Sequence, residues 1–278
     1  DANIGLLSCV LKRGDRVFYD DLCHASIRDG IRLSNARSFG FAHNELNDLK
    51  KKIDSTHQEQ GVVYIVVESV YSMDGDEAPL AELSEYCSRN GFYLIVDEAH
   101  ASGVFGASGQ GLVASLNLEN QVFARIHTFG KALGCHGAAV LCGAELKKFL
   151  INFSRPFIYT TAMPHHNVLN IKYALKELEN TKELTSLRQN IHAFLSGIEQ
   201  LKLGSRFIKS RSPIQSFLVD SPNEVRLIAD ELVSNQFEVK PIFYPTVPKG
   251  SERIRICIHS FNTPKEIQDF LFLLSTFA

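Results

Sequence analysis

The sequence predicts an α/β protein with a mostly parallel sheet covered by helices on both faces, followed by a small C-terminal α+β domain. Short β-rich runs alternate with helical patterns through the first part of the chain. The runs 62–67 and 92–96 are continuously apolar, as expected of parallel strands buried on both faces. We expect residues 1–178 to form the large domain and residues 179–278 to form a bridging helix and the small domain.

The first elements follow from apolar periodicity and from residues typical of helix ends. A helix is expected at the start of the chain, then strand 16–19, a helix from about His24, strand 37–41, and helix 44–53. Asn44 is a candidate N-cap for the last of these helices. After strand 62–67, Pro79 suits the first turn of a helix that ends near Asn90-Gly91, and strand 92–96 follows.

The second half of the chain contains two strands, a long helical region and an α+β pattern. Strands 122–126 and 138–141 are predicted on either side of a Gly-containing loop, followed by helices 144–153 and 164–203. The longer helix would bridge the two domains. The small domain then reads as strand 214–219, helix 223–235, strands 237–242 and 253–258, and helix 263–277.

Composition and charge argue against a nucleic-acid-binding or membrane-spanning protein. The chain has 278 residues, is 45% hydrophobic, and has 29 Lys and Arg against 31 Asp and Glu, so it shows no basic excess typical of nucleic-acid binders. No apolar run is long enough to span a bilayer. The six cysteines are scattered, without a C-x-x-C pair. We therefore expect a soluble cytoplasmic protein that acts on small molecules, not on nucleic acid or membranes.

Strand 92–96 is followed by Asp97-Glu98-Ala99-His100, for which a helicase motif and a metal site are two interpretations that we disfavour. As a helicase motif it would need G-x-x-x-x-G-K-[ST] upstream, whereas Gly130-Lys131 lies downstream and is followed by Ala132. As a metal site, Asp97 and His100 lack an evident third ligand. No metal site is predicted.

A pyridoxal-phosphate site explains the same residues better. An Asp at a strand end can keep the pyridine nitrogen protonated, which lets the ring accept electrons from a carbanion. Such a site also needs a lysine, with hydroxyl groups nearby for the phosphate, and the stretch Thr128–Gly134 supplies Lys131 and Thr128. A single lysine is usually a surface residue, so only the combination favours this cofactor.

Four motifs in order resemble the α-oxoamine synthases, a family of fold-type I pyridoxal-phosphate enzymes. They are His24-Ala25-Ser26, the stretch Glu68–Leu80, Asp97-Glu98-Ala99-His100, and Thr128-Phe129-Gly130-Lys131. The resemblance spans nearly all of the chain. Because the family has further residues before the position of Asp1, and no signal pattern precedes it, we expect the sequence to begin inside a domain with the N-terminal part missing.

The resemblance implies a role for each matching residue. It implies that His24 stacks on the cofactor ring, Ser72 and His100 contact it, Asp97 pairs with its nitrogen, Thr128 binds its phosphate, and Lys131 binds it covalently. His24, Asp97 and Lys131 would be the catalytic residues.

The resemblance also implies substrate and partner contacts. Arg255 matches the position that binds the amino-acid carboxylate, a task suited to a guanidinium group. Arg253 lies on the same face of an alternating strand and is interpreted as a neighbouring surface charge. Thr246 matches a substrate contact, as does His24. Thr160 or Thr161 would reach the phosphate of a partner subunit in a homodimer.

The reaction implied is the decarboxylative condensation of an amino acid with an acyl thioester. The stretches 72–80, 103–111, 137–141 and 245–248 most resemble the branch of the family that joins L-alanine to pimeloyl-CoA or pimeloyl-ACP in biotin biosynthesis. Phe243 stands where some members of that branch have an arginine. The alternatives are 2-amino-3-ketobutyrate ligase, 5-aminolevulinate synthase, serine palmitoyltransferase and autoinducer synthase. A non-catalytic partner subunit is a further alternative, which the intact Lys131, Asp97 and His24 disfavour.

Overall fold

The computed structural model describes residues 1–56 and 61–278. Contacts within the chain divide it into two compact units. The first unit contains residues 1–71 and 78–179, and the second contains residues 72–77 and 180–278. No helix in the described ranges has both the length and the apolar character needed to cross a membrane.

The first unit is built on a sheet of six described strands. They are β1 (Arg16–Asp20), β2 (Arg37–Phe41), β3 (Val63–Glu68), β4 (Tyr93–Asp97), β5 (Ala124–Thr128) and β6 (Ala138–Cys142). Their order is β2-β1-β3-β4-β5-β6, and only β6 runs antiparallel to its neighbour. The predicted mostly parallel sheet is therefore confirmed.

Helices cover both faces of this sheet. In the first unit they are α1 (Ala2–Val10), α2 (Ala25–Arg32), α3 (Leu46–Ser55), α4 (Leu80–Asn90), α5 (Leu112–Ser115), α6 (Ala144–Phe153), α7 (Arg155–Ile158) and α8 (His165–Asn180), the last residue of α8 falling in the second unit. Along β3, Ile65 and Val67 pack in one core with α3 and α4, whereas Tyr64 and Val66 pack in another with α1 and α2. Successive residues of β3 thus pack into two different cores on opposite faces of the sheet, which explains why the run 62–67 is continuously apolar.

Two predicted helices differ in the structure. Helix α3 begins at Leu46, so Asn44 is not its N-cap. Asn44 instead has a φ of 56° and donates its backbone N–H to Oδ2 of Asp20 at 2.8 Å, which takes the residue out of the helix. The predicted helix 164–203 is interrupted: α8 ends at Asn180, Thr181 Oγ1 accepts the Glu183 N–H at 3.2 Å, and α9 (Glu183–Gln200) begins there.

The second unit is a small α+β structure. Besides α9 it contains β7 (Ile214–Leu218), α10 (Pro222–Ser234), β8 (Lys240–Ile242), β9 (Arg253–Cys257) and α11 (Pro264–Ser275). Its antiparallel sheet has the order β7-β9-β8. Phe194, Phe217, Ile254 and Leu274 lie in its buried core.

The short segment Ser72–Glu77, here called the 72–77 segment, belongs to this second unit although it follows β3 in the chain. Three of its carbonyl oxygens accept side-chain hydrogen bonds. The donors are Arg255 Nε to Ser72 at 2.7 Å, Ser216 Oγ to Met73 at 2.6 Å, and Ser210 Oγ to Gly75 at 2.7 Å. Its carboxylates add ion pairs, from Asp74 to Arg253 and from Glu77 to Arg211. The sequence analysis placed this segment in the large domain, residues 1–178, because no local sequence pattern indicates that it packs with the second unit.

Candidate active site

Two predicted site residues end neighbouring parallel strands. Asp97 is the last residue of β4, and Thr128 is the last residue of β5. Because the carboxyl ends of parallel strands meet at one edge of a sheet, ligands of α/β proteins bind there. Asp97 is 4% exposed. Thr128 Oγ1 is buried and has no hydrogen-bond partner in the part of the chain that the structure describes.

The carboxylate of Asp97 is fixed by two hydrogen bonds. Its Oδ1 accepts the backbone N–H of Ala99 at 2.9 Å, and its Oδ2 accepts the side-chain amide of Asn3 at 2.7 Å. Both bonds favour an acceptor, and a buried carboxylate is stable only with such donors or a cationic partner. Asp97 is thus oriented as a negative group at the sheet edge.

The same amide of Asn3 connects Asp97 to His24. Asn3 Nδ2 also donates to Ser26 Oγ at 3.0 Å, and Ser26 Oγ lies 2.8 Å from His24 Nδ1. His24 is the N-cap of α2, and its Nδ1 accepts the Ser26 backbone N–H at 3.1 Å. Because Nδ1 is an acceptor, the neutral ring has its proton on Nε2. Asn3 and Ser26 thereby link two predicted cofactor contacts.

Glu68 is a second buried carboxyl group beside Asp97. The two residues are direct neighbours across β3 and β4, and Glu68 Oε1 accepts the His24 backbone N–H at 2.6 Å. Burial first, and then the charge of Asp97, raise the pKa of Glu68 to about 8, whereas the charge of Lys131 acts in the opposite direction. Asp97, Glu68 and Lys131 are therefore close enough to affect one another's charge.

Lys131 lies in an exposed loop that follows β5. Phe129 closes the loop: its N–H donates to Gly137 O at 2.9 Å, and its carbonyl oxygen accepts the Cys135 N–H at 2.7 Å. The half-buried His100 lies three residues after Asp97. A Cβ at Gly103 would be 2.7 Å from the Cβ of Ala132, so the loop after His100 touches the loop that contains Lys131.

Ser72 and Arg255, predicted to bind cofactor and substrate, meet in the second unit. Besides its bond to the carbonyl oxygen of Ser72, Arg255 donates from Nη1 to Cys257 Sγ at 3.0 Å. The interpretation of Arg253 as a surface charge was wrong, because this residue is 4% exposed and pairs with Asp74. Thr246 is exposed, and its N–H donates to Phe243 O at 2.9 Å.

Thr160 and Thr161 lie in the exposed connection between α7 and α8. Both stay predictions, because their expected role requires a second subunit.

The first unit fits pyridoxal phosphate at this sheet edge. It offers a fixed buried carboxylate at Asp97, a buried hydroxyl without a partner at Thr128, and a lysine in the next loop. The sequence analysis gave no role to Asn3, Ser26 or Glu68. Ser26 could have been noticed as a hydroxyl in the first turn of a helix capped by His24. The Asn3–Asp97 contact joins residues 94 positions apart, and nothing local signals it.

Comparisons with known proteins agree with this arrangement. Residues 1–271 match the family model "Aminotransferase class I and II". An 8-amino-7-oxononanoate synthase from Emericella nidulans is 40% identical over 99% of this chain and 71% of its own length. This chain thus spans about 70% of that relative.

Two solved structures also superpose on nearly the whole chain. A variant of serine palmitoyltransferase from S. paucimobilis, with a PLP–myriocin aldimine bound, has a TM-score of 0.91 and 28% identity over 99% of this chain and 69% of its own. An 8-amino-7-oxononanoate synthase from Francisella tularensis has a TM-score of 0.84 and 31% identity over 99% and 78% of the two chains. The backbone is thus similar in both enzymes, whereas sequence identity is higher to the second.

Proposed function

Because this chain belongs to the aminotransferase class I and II family, we propose that it is a pyridoxal-phosphate-dependent acyltransferase of the 8-amino-7-oxononanoate synthase type. It would join L-alanine to pimeloyl-CoA or pimeloyl-ACP, with loss of carbon dioxide, in biotin biosynthesis. The identity of 40% to the Emericella nidulans synthase is the main support. A second support is that Asp97 and Thr128 end neighbouring strands and Lys131 follows in the next loop, so these residues would supply the groups that the reaction needs.

Pyridoxal phosphate, when bound, supplies an electron sink for the α-carbon of an amino acid. Asp97, oriented by Asn3 and Ala99, would hold the protonated ring nitrogen. The hydroxyl of Thr128, which has no partner among the described residues, would donate to the phosphate. His24 would stack on the ring, and Ser72 and His100 would contact it.

Lys131 would attach the cofactor and then serve as the base. It lies on the exposed loop that follows β5. Once released as a neutral amine, Nζ would accept the α-proton of the amino acid. The nearby carboxylate of Asp97 would stabilise the resulting ammonium group, whereas Glu68, with its pKa raised to about 8, keeps its proton at neutral pH.

Arg255 and Thr246 would recognise the substrates. The carboxylate of the amino acid would pair with the guanidinium of Arg255, whose Nε is already anchored on the carbonyl oxygen of Ser72. Phe243 is half-buried and apolar, so the distal carboxylate of a pimeloyl group would require a different cation from the arginine seen in some relatives.

We test the proposal with a condensation assay that crosses alanine, glycine and serine with pimeloyl and long-chain acyl thioesters. The expected result is the fastest thiol release with alanine and a pimeloyl thioester. Faster release with serine and a long-chain thioester would favour a serine palmitoyltransferase, the class of the S. paucimobilis structure. That result would reject the proposed substrates and leave the cofactor proposal standing.

The assignment of Lys131 has its own test. Lys131→Ala should abolish the visible absorbance of the bound cofactor and the condensation activity. Lys265→Ala is the control, since Lys265 forms an exposed i,i+4 pair with Asp269 and should leave both properties unchanged. Normal cofactor absorbance in Lys131→Ala would contradict the assignment.

A homodimer is also part of the proposal. Helices α6, α7 and α8 have no buried residue, and large apolar side chains are exposed on them and at Tyr159, just after α7. These side chains, here called the exposed apolar segment, include Ile151, Phe153, Phe157, Tyr159, Val168, Leu169, Tyr173 and Leu175. A second copy of this chain would cover these side chains, and Thr160 or Thr161 of each subunit would reach the cofactor phosphate of the other.

A cytoplasmic location is the last part of the proposal, because the six cysteines are free thiols.

A further inference from the structure

Glu98 and His127 are buried titratable residues with no part in the proposed chemistry. Glu98 is 0% exposed and His127 is 8% exposed. Glu98 Oε2 lies 3.5 Å from His127 Nε2, and neither atom has a hydrogen-bond partner among the described residues. Two buried polar atoms that face each other in this way need a proton between them.

These residues are the immediate neighbours of two proposed cofactor contacts. Glu98 follows Asp97, and His127 precedes Thr128. The Glu98 N–H donates to Ile126 O at 2.8 Å, which continues the pairing of β4 and β5 by one residue. Because side chains alternate along strands, Glu98 and His127 lie behind the sheet face from which Asp97 and Thr128 project.

The hydroxyl of Ser102 decides which nitrogen of His127 is protonated. Ser102 Oγ lies 2.7 Å from the carbonyl oxygen of Glu98 and 2.7 Å from His127 Nδ1. The carbonyl can only accept, and the hydroxyl has a single proton, so Ser102 donates to the carbonyl. His127 Nδ1 must then donate to Ser102. In a neutral His127, Nε2 is therefore an acceptor that faces the Glu98 carboxyl.

Burial decides where the remaining proton lies. Desolvation, and then the charge of Arg125, lower the pKa of His127 to about 4. Desolvation raises the pKa of Glu98, although the Val113 N–H, Arg125, the Leu112 N–H and the Ser69 hydroxyl oppose it in that order. Both shifts favour a neutral imidazole and a protonated carboxyl over an ion pair.

We propose that Glu98 and His127 share one proton, donated from Glu98 Oε2 to His127 Nε2, and that this pair positions Asp97 and Thr128 for cofactor binding. The surroundings are shaped for the carboxyl group. Glu98 Oε1 accepts the Val113 N–H at 2.9 Å. Gly111 has a φ of 101°, and a Cβ there would be 2.3 Å from Oε2. The positioning role rests on the proposed function, whereas the shared proton does not.

Two substitutions of Glu98 test whether His127 needs a hydrogen-bond donor at this position. In Glu98→Gln the amide can donate to His127 Nε2 while its oxygen keeps the Val113 N–H. Glu98→Met preserves the volume and leaves Nε2 buried without a donor. We expect Glu98→Gln to bind pyridoxal phosphate within about twofold of the unchanged protein, and Glu98→Met to bind it about tenfold more weakly, by absorbance titration.

Nitrogen-15 NMR of the histidines in the cofactor-free full chain tests the proton directly. We expect His127 to be neutral at pH 7 with its proton on Nδ1, in both the unchanged protein and Glu98→Gln, and the exposed His192 provides the reference. A doubly protonated His127 would overturn the shared proton. If Glu98→Gln and Glu98→Met weaken cofactor affinity equally, the positioning role of the shared proton is overturned.

The test of the shared proton can succeed or fail independently of the test of the proposed function. The NMR result needs neither cofactor nor substrate, so it can stand where the condensation assay fails. If His127 has the expected tautomer but Glu98→Met binds the cofactor normally, the positioning role is overturned.

Discussion

Asn3 is the residue on which the orientation of two proposed cofactor contacts depends. Its amide donates one proton to Asp97 and the other to Ser26, which in turn contacts His24. A single side chain thus fixes an acidic group and, through one hydroxyl, an imidazole. The sequence analysis identified Asp97 and His24 from motifs, but it could not identify the amide that joins them.

Replacing Asn3 should therefore weaken cofactor binding without unfolding the chain. In Asn3→Ala, Asp97 loses its 2.7 Å donor, and we expect pyridoxal-phosphate affinity to fall about tenfold by absorbance titration. Ser8→Ala on the same helix is the matched control, because Ser8 donates its hydroxyl to the Ile4 carbonyl of its own helix. Equal affinity in both variants would show that Asn3 does not orient Asp97.

Glu68 predicts a specific dependence of stability on pH. Its pKa is raised to about 8 from the ordinary value of 4.5, so the folded chain keeps a proton that the unfolded chain releases. The free energy of unfolding should fall as pH rises from about 5 through 8, by on the order of a few kcal/mol.

Glu68→Gln should remove this dependence, because the amide does not titrate. The measurement is urea unfolding of the cofactor-free chain at several pH values. Glu199→Gln, at an exposed position on α9, should retain the slope of the unchanged protein. A slope that survives in Glu68→Gln would assign the effect to other groups.

At the scale of elements, apolar periodicity predicted the strands well and the helix ends less well. Strand 37–41 has the predicted bounds, and the run 92–96 corresponds to Tyr93–Asp97. Buried parallel strands have a signal spread over every residue. The predicted helix 164–203 was wrong at one point, since Thr181 and Lys182 interrupt it without Gly or Pro. Its end is set by a side-chain hydrogen bond, which periodicity does not detect.

The 72–77 segment provides a test at this scale. Gly75 has a φ of 75°, and a Cβ would lie 2.1 Å from the Ile214 carbonyl oxygen. Gly75→Ala should lower the free energy of unfolding by at least ~2 kcal/mol, through strain and loss of contacts to β7.

Gly204→Ala is the matched control, because a Cβ there has no atom within 4 Å. It should leave the free energy of unfolding nearly unchanged. Both variants are compared by urea unfolding at one pH. Equal stability of the two would show that the segment is not held tightly against β7.

At the scale of the whole molecule, the exposed apolar segment predicts association. Leu169→Glu should shift the chain toward the monomer in sedimentation velocity, because a charge would be buried at the proposed contact. Leu227→Glu, on α10, is the control and should not change the oligomeric state. A monomer in the unchanged protein, or a dimer unaffected by Leu169→Glu, would refute the proposed contact.

The division of the chain into units shows what could not be predicted at this scale. The sequence analysis divides the chain at residue 178, within the predicted bridging helix 164–203. The exchange of residues 72–77 depends on Arg253, Arg255 and Ser216, all more than 130 positions away. Such contacts have no local pattern.

Because residues 72–77 belong to the second unit, the two units are not consecutive segments of the chain joined by a single linker. The polypeptide passes between them at 71–72, at 77–78 and at 179–180. A gene truncated after residue 179 would encode the first unit together with residues 72–77, and it would lack Arg253, the ion-pair partner of Asp74. Neither unit can be inherited, shuffled or expressed as an intact piece by a single break in the gene.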